Sequence, residues 1–143
     1  MQTANKTQIL HIFRCLLCGL ALACTSFSSV ASPLLRCHVT YAGSTQIIDT
    51  YVTQDPYSIV AVNIGERFRF KAVMTGTAQA IETIKLYTYF QTRRSDIPIH
   101  QATYLPPFRL SETESLLTPK NSLYAGDVER ELQYYCSLQE VSP

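Results

Sequence analysis

The placement of five cysteines constrains this chain more than any other feature. Cys15, Cys18 and Cys24 fall in an apolar N-terminal stretch, whereas Cys37 and Cys136 stand near the two ends of everything that follows. The stretch Arg14–Ala31 (RCLLCGLALACTSFSSVA) has the parts of a secretory signal. Lys6 and Arg14 supply a basic start, Cys15–Cys24 an uncharged apolar run, and Ser29-Val30-Ala31 a small-residue exit. The run is about half of the roughly 20 apolar residues that a membrane span requires, so no span is expected. A lipoprotein anchored at Cys24 is the lesser alternative, because Leu22 stands one place too late for a lipobox. Residues 1–31 are read as a signal peptide and residues 32–143 as one domain, periplasmic or secreted. Two thiols then remain, in a compartment that oxidises them, and a Cys37–Cys136 disulfide is the default.

Charge narrows the partners. Residues 32–143 carry ten basic and eleven acidic side chains, a net of −1. That balance excludes general nucleic-acid binding, which needs a strongly basic surface. The distribution is uneven. Residues 67–109 hold seven basic side chains against Glu82 and Asp96, while residues 110–143 hold two against six acidic. The two regions are expected to pair in the fold; the alternative is that one of them faces a charged partner.

The pattern reads as strands nearly throughout. Residues 35–41, 46–52 and 58–63 are apolar or β-branched runs separated by Ala42-Gly43-Ser44 and Asp55-Pro56 turns. The clearest alternation is at 67–73, with Phe68, Phe70 and Ala72 on one face and Arg67, Arg69 and Lys71 on the other. It recurs at 81–91, with Ile84, Leu86, Thr88 and Phe90 opposite Lys85, Tyr87, Tyr89 and Gln91. Residues 99–105 form a further strand, stopped by Pro106-Pro107. Residues 111–125 are expected to be a long loop with one helical turn at 112–117. Residues 129–140 are read as a strand, with a helix as the rival because Glu, Leu and Gln favour helices.

Seven or so short strands with turns between them predict an all-β fold, a single antiparallel β-sandwich with one terminal disulfide joining the first and last strands. Around Asp127–Cys136 the chain resembles immunoglobulin-like modules, in which a tyrosine precedes the second cysteine by two residues; here it is Tyr134. Phe68-Arg69-Phe70 followed by Ile84–Phe90 is similar to the paired core strands of bacterial members of that superfamily. The core tryptophan of antibody domains is absent, and the cysteines stand 99 residues apart, too far for their inter-sheet bridge. The chain also looks like small exported proteins of Gram-negative bacteria. These resemblances imply a fold class and no activity.

Catalytic chemistry finds little support. Residues 32–143 hold no Gly-x-Ser-x-Gly elbow, no Cys-x-x-Cys and no phosphate-cradling glycine loop. Glu112 with Glu114, and Glu129 with Glu131, read as surface charges rather than a glycosidase pair. No cofactor and no enzyme activity are expected. His38, His100 and Met74 are the donors of an alternative reading as a periplasmic copper binder. The preferred site is a strand face of Lys85, Tyr87 and Tyr89 with Arg67, Arg69 and Lys71 nearby. Tyrosine offers rigid amphipathic contact area and arginine directed hydrogen bonds, a combination suited to a protein partner or an anionic glycan.

Overall fold

A computed structural model describes residues 31–142. The proposed signal peptide, with Cys15, Cys18 and Cys24, lies outside the described residues save for Ala31. Nine strands follow one another: β1 (Ser32–Tyr41), β2 (Ser44–Thr53), β3 (Val62–Ile64), β4 (Phe68–Thr77), β5 (Ala80–Gln91), β6 (Asp96–Tyr104), β7 (Ser115–Leu116), β8 (Asn121–Ala125) and β9 (Arg130–Val141). The all-β expectation holds.

Local chemistry explains the hairpins. Ala42 and Gly43 both have positive φ (50° and 80°), the two-residue turn whose twist matches paired antiparallel strands. Between β4 and β5 the register shifts after Thr75, where Gly76 has φ 134°. A Cβ at Gly76 would strike the backbone oxygen of Ala80, so only glycine fits this bulge.

The strands form one sheet in the order β6-β5-β4-β2-β1-β9-β7, with β3 added on β4 and β8 on β9. Each pairing is antiparallel except β2 with β4, which run parallel through Val52↔Met74 and Thr53↔Thr75. A purely antiparallel two-sheet sandwich is therefore not what forms. Two antiparallel blocks are joined at that short seam into a single mixed sheet, strongly curled into a half-barrel. The alternation read from sequence decides what lies inside the curl. Phe68, Phe70 and Ala72 of β4 and Ile84 and Leu86 of β5 are buried, against Leu35, Cys37 and Val39 of β1 and Leu132, Tyr134 and Leu138 of β9. Fully burying each of the larger side chains contributes about 1.5–3 kcal/mol.

Two contacts measure how far the sheet curls. The Phe70 and Tyr134 rings lie 5.2 Å apart, and His100 of β6 meets the Tyr134 hydroxyl through Nε2 at 2.7 Å. Strand β6 begins the sheet and β9 lies near its other end, so these bonds cross the interior. Tyr134 thus departs from the tyrosine corner of immunoglobulin-like domains, where the hydroxyl returns to upstream backbone. Its partner here is a side chain 34 residues earlier.

Cys37 and Cys136 are bonded, with Cα atoms 4.0 Å apart, at directly opposed positions of β1 and β9. The first and last strands are neighbours, as the cysteines implied. Three local expectations change. The helical turn at 112–117 is absent; Ser115 and Leu116 instead pair with Leu138 and Ser137 as β7. The loop expected at 111–125 contains β8, whose residues pair with β9 from Asn121↔Tyr134 to Ala125↔Arg130. The strand expected at 58–63 shrinks to Val62–Ile64, because only those residues find a partner on β4.

Candidate functional site

Strand periodicity places Lys85, Tyr87 and Tyr89 on the outer face of β5, and register sets what lies beside them. Tyr87 stands between Lys71 of β4 and Gln101 of β6, and Tyr89 between Arg69 and Pro98. The two tyrosine rings stack along the strand, 6.4 Å between centroids and 16° between planes. Lys71, Arg69, Lys85, Tyr87 and Tyr89 are all half-buried, so they lie along the sheet rather than standing off it. Val73, the cross-strand neighbour of Lys85 on the same face, is 3% exposed. The predicted face is thus brought together, with two changes.

Arg69 is engaged: its Nε lies 3.2 Å from Asp96 Oδ2. Among the described residues Lys71 and Lys85 form no ion pair and keep their charge available. Arg67 leaves the face. It closes the turn before β4, its guanidinium donates to the Glu66 carbonyl at 3.0 Å, and it borders the end of the half-barrel.

That end is an open cleft of about 1110 Å³. Three turns bound it: Gly65–Arg67, Thr92–Ser95 and Gly126–Glu129. Gly126 rests on the core. Its φ is 84°, and a Cβ there would come within 2.8 Å of Phe90 Cζ. Glycine is what lets the β8–β9 turn close over the Phe90 ring. Arg67, Arg93 and Arg130 all border the cleft, with Phe90, Ile97 and Tyr124. Strand reasoning missed it, because residues from three turns meet only once the sheet curls. The adjacent Arg93 and Arg94 are the local signal the sequence offers.

The copper alternative is corrected. His38 lies between inward Cys37 and Val39, faces outward, and stacks on Tyr135 at 4.7 Å with 5° between planes. His100 faces inward to Tyr134, and Met74 is completely buried in the core. The two histidines are on opposite sides of the sheet. Among the described residues no three His, Cys, Asp or Glu side chains gather as a metal site.

The carboxylate pairs also separate from chemistry. Glu112 and Glu114 are exposed. Glu131 accepts hydrogen bonds from Gln133 at 2.9 Å and Tyr124 at 3.0 Å, and these bonds hold its carboxyl below the usual range. The two charged regions do not pair as expected. Among the described residues the ion pairs are Arg36–Asp49 and Arg69–Asp96, and neither joins residues 67–109 to residues 110–143. Burial pushes the Tyr134 hydroxyl up to about 12, with a further contribution from nearby Tyr104.

Among the described residues no helix is long and apolar enough to cross a membrane. Comparison with family models, with curated proteins and with solved structures finds no match.

Proposed function

We propose that this chain is a non-catalytic, exported recognition module that holds an acidic partner, a protein surface or an anionic glycan, on the outer face of β4-β5-β6. The observation that carries this reading is the stacked Tyr87–Tyr89 pair flanked by Lys71 and Lys85. Two parallel rings 6.4 Å apart present a flat amphipathic strip. The ammonium groups beside it supply charge without a carboxylate already bound to them. Aromatic and cationic side chains of this kind are where binding energy concentrates at interfaces.

Export supports the same reading. A buried disulfide that closes 99 residues belongs to an oxidising compartment. Cleavage after Ala31 would release a chain that starts at the first residue of β1. The mass of the secreted N-terminus tests that part. We read the two antiparallel blocks of the curled sheet as the counterparts of the layers of an immunoglobulin-like sandwich, opened out at the β2–β4 seam.

Binding is tested with a glutamate-rich peptide and a carboxylated oligosaccharide as the two probes. One of them is expected to bind with amide shifts on β4-β5-β6, and Tyr87→Ala with Tyr89→Ala to abolish those shifts while the melting temperature stays within a few degrees. A large drop in melting temperature would make the tyrosines structural. Failure of both probes to bind would also end the reading.

A further inference from the structure

We infer that the cleft at the end of the half-barrel is a separate binding site for the terminus of a carboxylate-bearing oligosaccharide. This goes beyond the reading above, because it uses turns rather than the strand face. Arg67 and Arg93 come from the β3–β4 and β5–β6 connections and Arg130 from the start of β9, and the cleft gathers all three. Glu66 and Asp127 border the same space, yet among the described residues none of the three guanidiniums lies within ion-pair distance of a carboxylate. Both signs of charge are present and uncommitted.

The walls are held in place before any ligand arrives. Thr92 Oγ1 donates to the Ser95 carbonyl at 2.7 Å and accepts from its amide at 3.1 Å, which fixes the turn that carries Arg93. Glu66 N donates to Asn63 Oδ1 at 2.8 Å, and Glu129 N to the Gly126 carbonyl at 3.0 Å. Tyr124 is 62% exposed, but its hydroxyl is tethered to Glu131, so the ring is displayed in one orientation. Fixed walls reduce the ordering cost of binding.

The mixture of groups selects the ligand class. A bare polyanion would meet the carboxylates of Glu66 and Asp127. A neutral sugar would leave three guanidiniums unmatched. A sugar acid satisfies both sets: its carboxylate takes paired N–H bonds from arginine, and its hydroxyls donate to Glu66 and Asp127. Its C–H face covers the rings of Tyr124 and Phe90. The cleft is open and, at about 1110 Å³, lies just above the usual ligand-pocket range of roughly 300–1,000 Å³, so it suits the end of a chain rather than an enclosed single ring.

The test uses tetragalacturonate, neutral tetragalactose and inorganic sulfate, read by calorimetry and by amide shifts on isotope-labelled protein. Tetragalacturonate is expected to bind at about 1 mM or tighter, with shifts at Arg67, Arg93 and Gly126. Arg93→Gln with Arg130→Gln should weaken binding in the cleft at least about tenfold, and Tyr87→Ala with Tyr89→Ala should leave the shifts in the three turns unchanged. Arg93→Gln alone, on an exposed turn, carries the test if the double variant is unstable. Equal binding of the neutral tetramer overturns the inference. So does full displacement by equimolar sulfate, or the absence of shifts in the three turns. Binding lost in the tyrosine variant but kept in the arginine variant overturns it while upholding the strand-face reading.

Discussion

Loss of the Cys37–Cys136 bond is the perturbation whose size can be worked most directly. The bond closes 99 residues, nearly the whole described chain. In the chain-entropy account a loop of that length restricts the unfolded ensemble by about 4.7 kcal/mol at 25 °C. A domain of this size has a total stability of about 5–15 kcal/mol, so the bond accounts for a large part of it. The folded state needs the bond much less. Strands β1 and β9 pair at ten positions, from Ser32↔Val141 to Tyr41↔Leu132, and those hydrogen bonds remain when the sulfurs are reduced. The expected result is a reduced protein that keeps its β1–β9 pairing but unfolds at much lower denaturant. Guanidinium titrations of oxidised protein, reduced protein and Cys37→Ala with Cys136→Ala measure this, with β1–β9 amide protection recorded alongside. Both cysteines are fully buried, so reduction should be slow until the strands open. A stability loss below about 1 kcal/mol would refute the reasoning, since the loop term would then be absent. Loss of β1–β9 protection in a reduced protein that is otherwise folded would also refute it, because the bond would then be holding the native register.

Three further outcomes are expected. The Thr88 hydroxyl is buried without a hydrogen-bond partner, so Thr88→Val should raise stability by about 1 kcal/mol in thermal melts; a destabilised variant would mean the hydroxyl has a partner. Because Tyr134 stays protonated up to about 12 in the folded state, its contribution is complete below its unfolded value near 10 and is lost as pH rises between the two. That is up to about 3 kcal/mol, and urea titrations across this range should show a shallower decline in Tyr134→Phe. Gly126→Ala meets Phe90 as well as an unfavourable φ, whereas a Cβ at Gly43 (φ 80°) meets nothing. The first should cost about 1–3 kcal/mol and clearly more than the second in denaturant titrations; equal costs would refute the packing argument.

Period-two patterning in residues 67–73 and 81–91 made the buried face of β4 and β5 legible, since in a strand the identity of neighbours along the chain decides which side is wet. The distribution of cysteines made the terminal staple legible for a similar reason: residues 32–143 hold two cysteines, which allow one pairing. The face of Lys85, Tyr87 and Tyr89 could be written down from β5 alone, and register with β4 added Lys71. Strand β8 escaped notice, because its five residues become a strand only by finding β9. The copper donors failed for the opposite reason. Spacing along the chain says nothing about which side of a curled sheet a side chain occupies, and His38 and His100 took different sides.

Local alternation and the cysteine arithmetic, then, determined an all-β chain, its core residues and its disulfide, because each rests on near neighbours or on a forced choice. The curl, the parallel β2–β4 seam, the His100–Tyr134 bond and the arginine-lined cleft were decided by the tertiary structure alone. They depend on which distant edges meet, and that is set by how the whole sheet bends to bury one common face.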